Sequence, residues 1–176
     1  MTSFVVRKLI VDEHNELFDA QGMRYAEFPS DYGRIRDYAA AVLVDCPEAF
    51  LEDGLLEQQL SEIIKNGIKH GNGCDPDRKL RVWFDLRKRA RFIVEDEGEG
   101  FSDLDAWNDF YRRRQLALYR QDFDEFLELA SYRGPKCGPD DGGNSLFAAL
   151  DYWNGGMIYN AAKNKVGVVR WFGSGR

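Results

Sequence analysis

The chain reads as an α+β fold, a two-layer sandwich in which one mixed, mostly antiparallel sheet is covered on one face by helices. Three observations predict it: two short strand-like stretches lead into two helix patterns, an alternating stretch forms a central hairpin, and a second hairpin closes the chain after further helices.

Residues 3 to 11 and 22 to 28 are rich in Val, Ile, Phe and Tyr and predict two strands, with polar Asp12, Glu13, His14 and Asn15 between them and Pro29 closing the pair. Ser30 or Asp31 can cap a helix that carries Ile35, Tyr38, Ala39, Val42 and Leu43 and ends before Pro47. A second helix runs from about 53 to 70, with Gly71 as its stop. Leu80, Val82, Phe84 and Leu86 alternate with Arg81, Trp83 and Asp85. After the turn at Arg87, Lys88 and Arg89, Phe92 and Val94 alternate again, so a hairpin delivers Asp96 at a strand end. Ser102 with Asp105, and Asp122 with Glu125, have the spacing of N-capping pairs, which makes 102 to 133 a helical insertion. The Gly/Pro-dense tract 134 to 143 reads as a mobile loop. Ser145 to Leu150 begins another helix, and 156 to 162 with 165 to 172 form the closing hairpin around Lys163 and Asn164.

At 176 residues, the chain fits a single domain, 1 to 176, with the insertion at about 102 to 141 inside it. Its 44% hydrophobic and 31% charged residues suit a soluble globular protein. A net charge of −6 and a pI near 5.0 argue against nucleic-acid or anionic-membrane partners, which call for a basic surface. Cys46, Cys74 and Cys137 are odd in number and form no C-x-x-C pair, so neither a disulfide framework nor a zinc site is indicated. No run approaches the roughly 18 apolar residues of a membrane span, and a cytoplasmic location is expected.

Two motifs carry the chemistry. On an ideal helix Glu62, Asn66 and His70 lie one above another beside the apolar stripe of Leu56, Leu60, Ile63, Ile64 and Gly67. Asp96-Glu97-Gly98-Glu99-Gly100-Phe101 then forms an acidic, glycine-rich loop at the strand end. Alone, the first also fits a solvated helix face and the second an ordinary turn. Together and in this order they point to one site. Asn66 offers a neutral oxygen suited to Mg²⁺. Glu62 could accept a proton from a hydroxyl or water, although a solvated helix carboxylate is equally consistent with its spacing. His70 fits packing or helix termination better than acid-base work.

Asp96 can accept from an exocyclic amine such as that of adenine, while Gly98 and Gly100 let backbone approach a ligand. Gly142, Gly143 and Asn144 precede a helix, whose free N–H groups and dipole could hold phosphates; a flexible loop is the commoner reading of two such glycines. Arg112, Arg113, Arg114, Arg120, Arg133 and Lys136 could reach a phosphate tail, but such a run is more often a solvated helix face. The sequence contains no Walker P-loop, H-E-x-x-H or G-x-S-x-G motif.

These residues resemble the ATPase superfamily of gyrase, heat-shock chaperones, histidine kinases and MutL, known as GHKL or Bergerat-fold proteins. Glu62-x-x-x-Asn66 with His70-Gly71 looks like the N box and Asp96-x-Gly98-x-Gly100-Phe101 the first glycine box. Gly142-Gly143-Asn144-Ser145-Leu146-Phe147 is similar to a variant second box. The resemblance covers about 30 to 172, and among members the small bacterial anti-sigma-factor serine kinases are the most similar.

The resemblance implies ATP or ADP with Mg²⁺ as bound groups, Glu62 as general base and Asn66 as metal ligand. It further implies Asp96 as adenine contact, Gly98, Gly100 and Phe101 as nucleotide loop, and Gly142, Gly143, Asn144, Ser145 and Leu146 around the phosphates. Residues 102 to 141 would be an enlarged lid that closes as nucleotide binds. The implied partners are a sigma factor or an anti-anti-sigma-like regulator. Two positions depart from the pattern. Ser145 stands where the second box usually has glycine, and Gly167-Val168 stands where a Gly-Thr pair usually supports the adenine contact.

Three functions follow. The first is a regulatory protein serine kinase. The second is a catalytically silent module that holds a partner, with Trp107, Phe110, Tyr111 and Tyr119 as contact surface. The third is the detached ATPase half of a histidine kinase. An exposed apolar face on the helix at 30 to 45 would mark a homodimer or partner interface.

Overall fold

Leu80, Val82 and Phe84 are buried while Lys79, Arg81, Trp83 and Asp85 are only half-buried, and this alternation builds a strand one in from the edge of the protein's sheet. The computed structural model describes residues 6–134 and 144–173. Within them the strands are β1 (Ile10–Val11), β2 (Arg24–Pro29), β3 (Lys79–Asp85), β4 (Ala90–Glu95), β5 (Gly156–Tyr159) and β6 (Lys165–Arg170). The helices are α1 (Ile35–Val42), α2 (Glu48–Leu51), α3 (Leu55–Asn66), α4 (Leu104–Arg120), α5 (Phe123–Glu128) and α6 (Ser145–Tyr152). The six strands form one sheet in the order β1-β5-β6-β4-β3-β2, antiparallel throughout except for the parallel pair β1 and β5. The architecture is α+β with a mixed sheet. The central and closing hairpins stand as expected, but the two N-terminal strands lie at opposite edges rather than as a pair.

Only Ile10–Val11 of the expected strand 3 to 11 is a strand among the described residues. Upstream, the backbone bonds side chains instead of a neighbouring strand. Asn108 of α4 accepts from the Leu9 N–H (2.8 Å) and donates to the Leu9 carbonyl (2.9 Å). Gln115, two turns on, does the same to Arg7 (3.2 and 3.0 Å). These amides satisfy the backbone polar groups that a ladder would otherwise take.

The register aligns Phe84, Phe92, Val168 and Met157 on the face covered by α1, α3 and α6. All four are at most 4% exposed, each contributing on the order of 1.5–3 kcal/mol by burial. The opposite face carries Ile93, Gly167 and Ile158, and there the short turn Glu16–Phe18 packs on Gly167. Arg91 ties that turn down, its guanidinium donating to the carbonyls of Glu16 (3.0 Å), Leu17 (3.0 Å) and Asp19 (2.5 Å). The second face is therefore partly covered too.

Asp31 caps the turn before α1 by accepting from the Gly33 N–H (2.9 Å), as expected of one of the two candidates. Ser30 is wholly buried and donates to the Arg78 carbonyl. The apolar stripe of α1, with Tyr38, Ala39 and Val42, is buried against α3, so it is not an exposed interface. Asp122 caps α5, accepting from the Glu125 N–H (3.1 Å). Ser102 does not cap α4. Asp103 occupies that position without a cap bond, because its carboxylate accepts instead from the Tyr132 hydroxyl (2.7 Å). Among the described residues no helix is long and apolar enough to cross a membrane.

Candidate functional site

The end of α3 departs from ideal geometry where the chemistry was expected. After Asn66 the chain widens into a π-turn, Gly67–Gly71, closed by the Asn72 N–H on the Gly67 carbonyl (2.8 Å). A π-turn inserts residues into the helical phase and frequently marks a functional site. It lies between Asn66 and His70, after the regular turn that joins Glu62 to Asn66. Asn66 and His70 line a cavity of about 240 Å³, whereas Glu62 does not. Glu62 faces a neighbouring hollow bordered by Arg36, Gln58 and Ser61, and its carboxylate is held by Lys65 at 2.6 Å. Lys65 borders both spaces.

Glycines bring the two motifs together. A side chain on Gly71 would occupy the place of the Asp96 carboxylate, and one on Gly67 would strike Leu80. A side chain on Gly98 would run into the Gly71 backbone. Gly98 therefore joins loop to helix end and does not line the cavity. Gly100 lines it, with a φ of +84° and its backbone against Ala162 and Lys163. Phe101 also lines the cavity, its N–H donating to the Lys163 carbonyl (3.0 Å) and its ring edge-on to Tyr159.

Asp96 is held from two sides by residues that sequence reasoning missed. On one side Asn164 accepts from the Asp96 N–H through its main-chain carbonyl (2.9 Å), and its side-chain amide donates to the Asp96 carbonyl (3.1 Å). On the other side Asn72, only 1% exposed, accepts from the Glu97 N–H (2.7 Å) while donating to Ser30 and the Lys79 carbonyl. The motif A-K-N-K at a hairpin tip gave Asn164 no distinguishing signal. Asn72 lay one residue beyond the helix stop, where a polar residue is unremarkable.

The Asp96 carboxylate uses Oδ1 to accept from the Gly98 N–H (2.8 Å), and Oδ2 accepts from nothing among the described residues. Burial pushes this acid up to about 6, against the opposing pull of the Gly98 hydrogen bond. Val94, Met157, Tyr159 and Val166 form apolar walls beside it. A carboxylate oxygen without a partner at the edge of an apolar cavity is a built acceptor for a donor group.

The far wall comes from the N-terminus of α6 and the root of α4. Ser145 and Leu146 line the cavity; Asn144 is exposed and does not, and Gly142 and Gly143 lie outside the described residues, as does Lys136. Trp107 closes the wall, packed with Tyr111 and Phe147. The arginine run does not reach the cavity. Arg112 pairs with Asp109 and Arg113 with Glu125, while Arg114 donates to the Leu129 carbonyl and stacks on Phe126. These side chains bind the helical arm to itself. Among the described residues the lysines that line the cavity are Lys65, Lys69 and Lys163. Val168, noted as a departure, is fully buried in the helix-side core, and Gly167 faces the opposite side; the β6 residue at the cavity is Val166.

Among the described residues no group of three or more His, Cys, Asp or Glu could hold a metal. The sequence matches no protein-family model and no curated protein.

Proposed function

We propose that the protein binds an adenine nucleotide with Mg²⁺ in the cavity between α3, β4 and α6, on a Bergerat-type scaffold, and acts as a protein serine kinase of the anti-sigma-factor type. The observation that carries this reading is the Asp96 corner, where a carboxylate with one oxygen unused among the described residues sits beside the apolar walls of a cavity of about 240 Å³. An exocyclic amine would satisfy that oxygen.

Asn66 would hold the metal, whose chemistry is to bridge phosphate oxygens and neutralise their charge. The α6 N-terminus with Ser145 and Leu146, together with Lys69, supports a phosphate tail by free N–H groups and positive charge. Glu62 would take the proton of an acceptor serine arriving from the adjoining hollow, after release from Lys65. The protein partner would be a sigma factor or its antagonist.

A second reading has its own observation. Glu62 is paired and outside the cavity, and the arm exposes Leu118, Tyr119, Phe123 and Leu127, which suits a nucleotide- or partner-binding module without phosphoryl transfer. Trp107 and Tyr111, counted as contact surface from sequence, are buried. Radiolabel transfer from ATP to a partner separates the readings: Glu62→Ala should bind nucleotide normally yet transfer nothing. Transfer equal to wild type would remove Glu62 as the base.

A further inference from the structure

Tyr159 ends β5 on the face turned to the helices, paired with Val166, and its side chain lines the cavity that Asp96 borders. Its position is fixed. The Asp12 N–H donates to its carbonyl (2.9 Å), and Phe101 packs edge-on to the ring with centroids 6.0 Å apart. Tyr38 and Tyr152 bury hydroxyls that are closed off and unpaired, but the hydroxyl of Tyr159 is not closed off, and among the described residues it has no hydrogen-bond partner. Tyr159 and Asp96 are not bonded to each other. Burial, and after it the nearby Asp96 charge, hold the phenol well above its ordinary range, so it is a protonated donor at neutral pH.

One wall thus offers an acceptor and a donor side by side, both unused. We infer that Tyr159 is a specificity-determining contact of this cavity, its O–H donating to a ring nitrogen whose neighbouring exocyclic amine donates to Asp96. This rests on the nucleotide reading above and adds which edge of the base is read. A 6-aminopurine carries an acceptor, N1, beside a donor, the 6-amino group. A 6-oxopurine reverses the order, setting its carbonyl against the Asp96 carboxylate and its N1–H against the phenol O–H. Unpaired buried groups make such a mismatch costly.

The test is calorimetry of wild type and Tyr159→Phe with ADP and with 1-deaza-ADP, in which N1 is a C–H. Wild type should bind ADP about tenfold more tightly than the deaza analogue. Tyr159→Phe should bind the two equally, at the wild-type affinity for the analogue, because each change removes the same hydrogen bond. The wild-type arm requires no variant to fold. Equal wild-type affinity for the two ligands, or a preference retained by Tyr159→Phe, would overturn the inference while leaving nucleotide binding intact. Absence of any ADP binding to wild type would overturn both.

Discussion

At the Asp96 corner, glycines touch glycines and two asparagines grip the backbone; across the same cavity, the arm of α4 and α5 is held by stacked aromatic rings and leaves apolar side chains exposed on its outer surface. The corner has no slack. Gly98 against Gly71 is a main-chain contact, and main chain cannot swing aside as a side chain can. The arm is anchored along α4 by Trp107, Asn108 and Gln115, while Leu127, further out, is 68% exposed. The position of an acceptor must be set tightly for it to read a donor, whereas a wall that only encloses a ligand tolerates looser construction.

This contrast can be broken or sharpened by substitution. The largest effect should come at the arm's root, because Trp107 is 1% exposed and packs on both Tyr111 and Phe147. Trp107→Ala should cost about 3–5 kcal/mol in urea unfolding. A loss below about 1 kcal/mol would show that the arm is an appendage. Next, Gly98→Ala should cost about 2–3 kcal/mol, since the added methyl meets the Gly71 backbone. Stability equal to wild type would mean that the corner gives.

Asp96→Asn should act in the opposite direction. Because the folded protein holds the Asp96 proton up to about pH 6 and the unfolded chain releases it near 4, folding binds a proton between those values. Wild-type stability therefore falls as pH rises from about 4 to about 6 and stays lowered above. Asparagine keeps the acceptor for the Gly98 N–H and carries no charge to bury, so at pH 7.5 the variant should be more stable by about 1–2 kcal/mol, with that pH dependence gone. A destabilised variant would mean that the carboxylate is a structural element rather than a site. The smallest effect belongs to the arm's exterior, where Leu127→Ser should stay within about 0.5 kcal/mol in the same unfolding experiment.

How much of this was legible in the sequence follows from the same contrast. Alternation gave β3, where one buried face imposes a period of two; β4, buried on both faces from Ala90 to Val94, followed as its hairpin partner and carries Asp96 just beyond its end. The helix through Asn66 was legible from its apolar stripe. The π-turn was not: an extra residue in a helical turn leaves no mark in a hydrophobic pattern, so Glu62 was put in line with His70. The partners of Asp96 were hidden for another reason. Asn72 and Asn164 act through backbone bonds between segments far apart in sequence, and nothing in their own neighbourhood calls for asparagine. The arginine run misled in the usual way, since its charges pair with carboxylates and carbonyls of its own arm.

The most direct test is calorimetric titration of ADP with Mg²⁺ into wild type and Asp96→Asn at pH 7.5. Wild type should bind, and Asp96→Asn should bind about 10- to 100-fold more weakly although it is the more stable protein, because its amide either loses the acceptor or sets a donor against the ligand's amine. Equal affinity of the two proteins, or no heat of binding from wild type, would contradict the account.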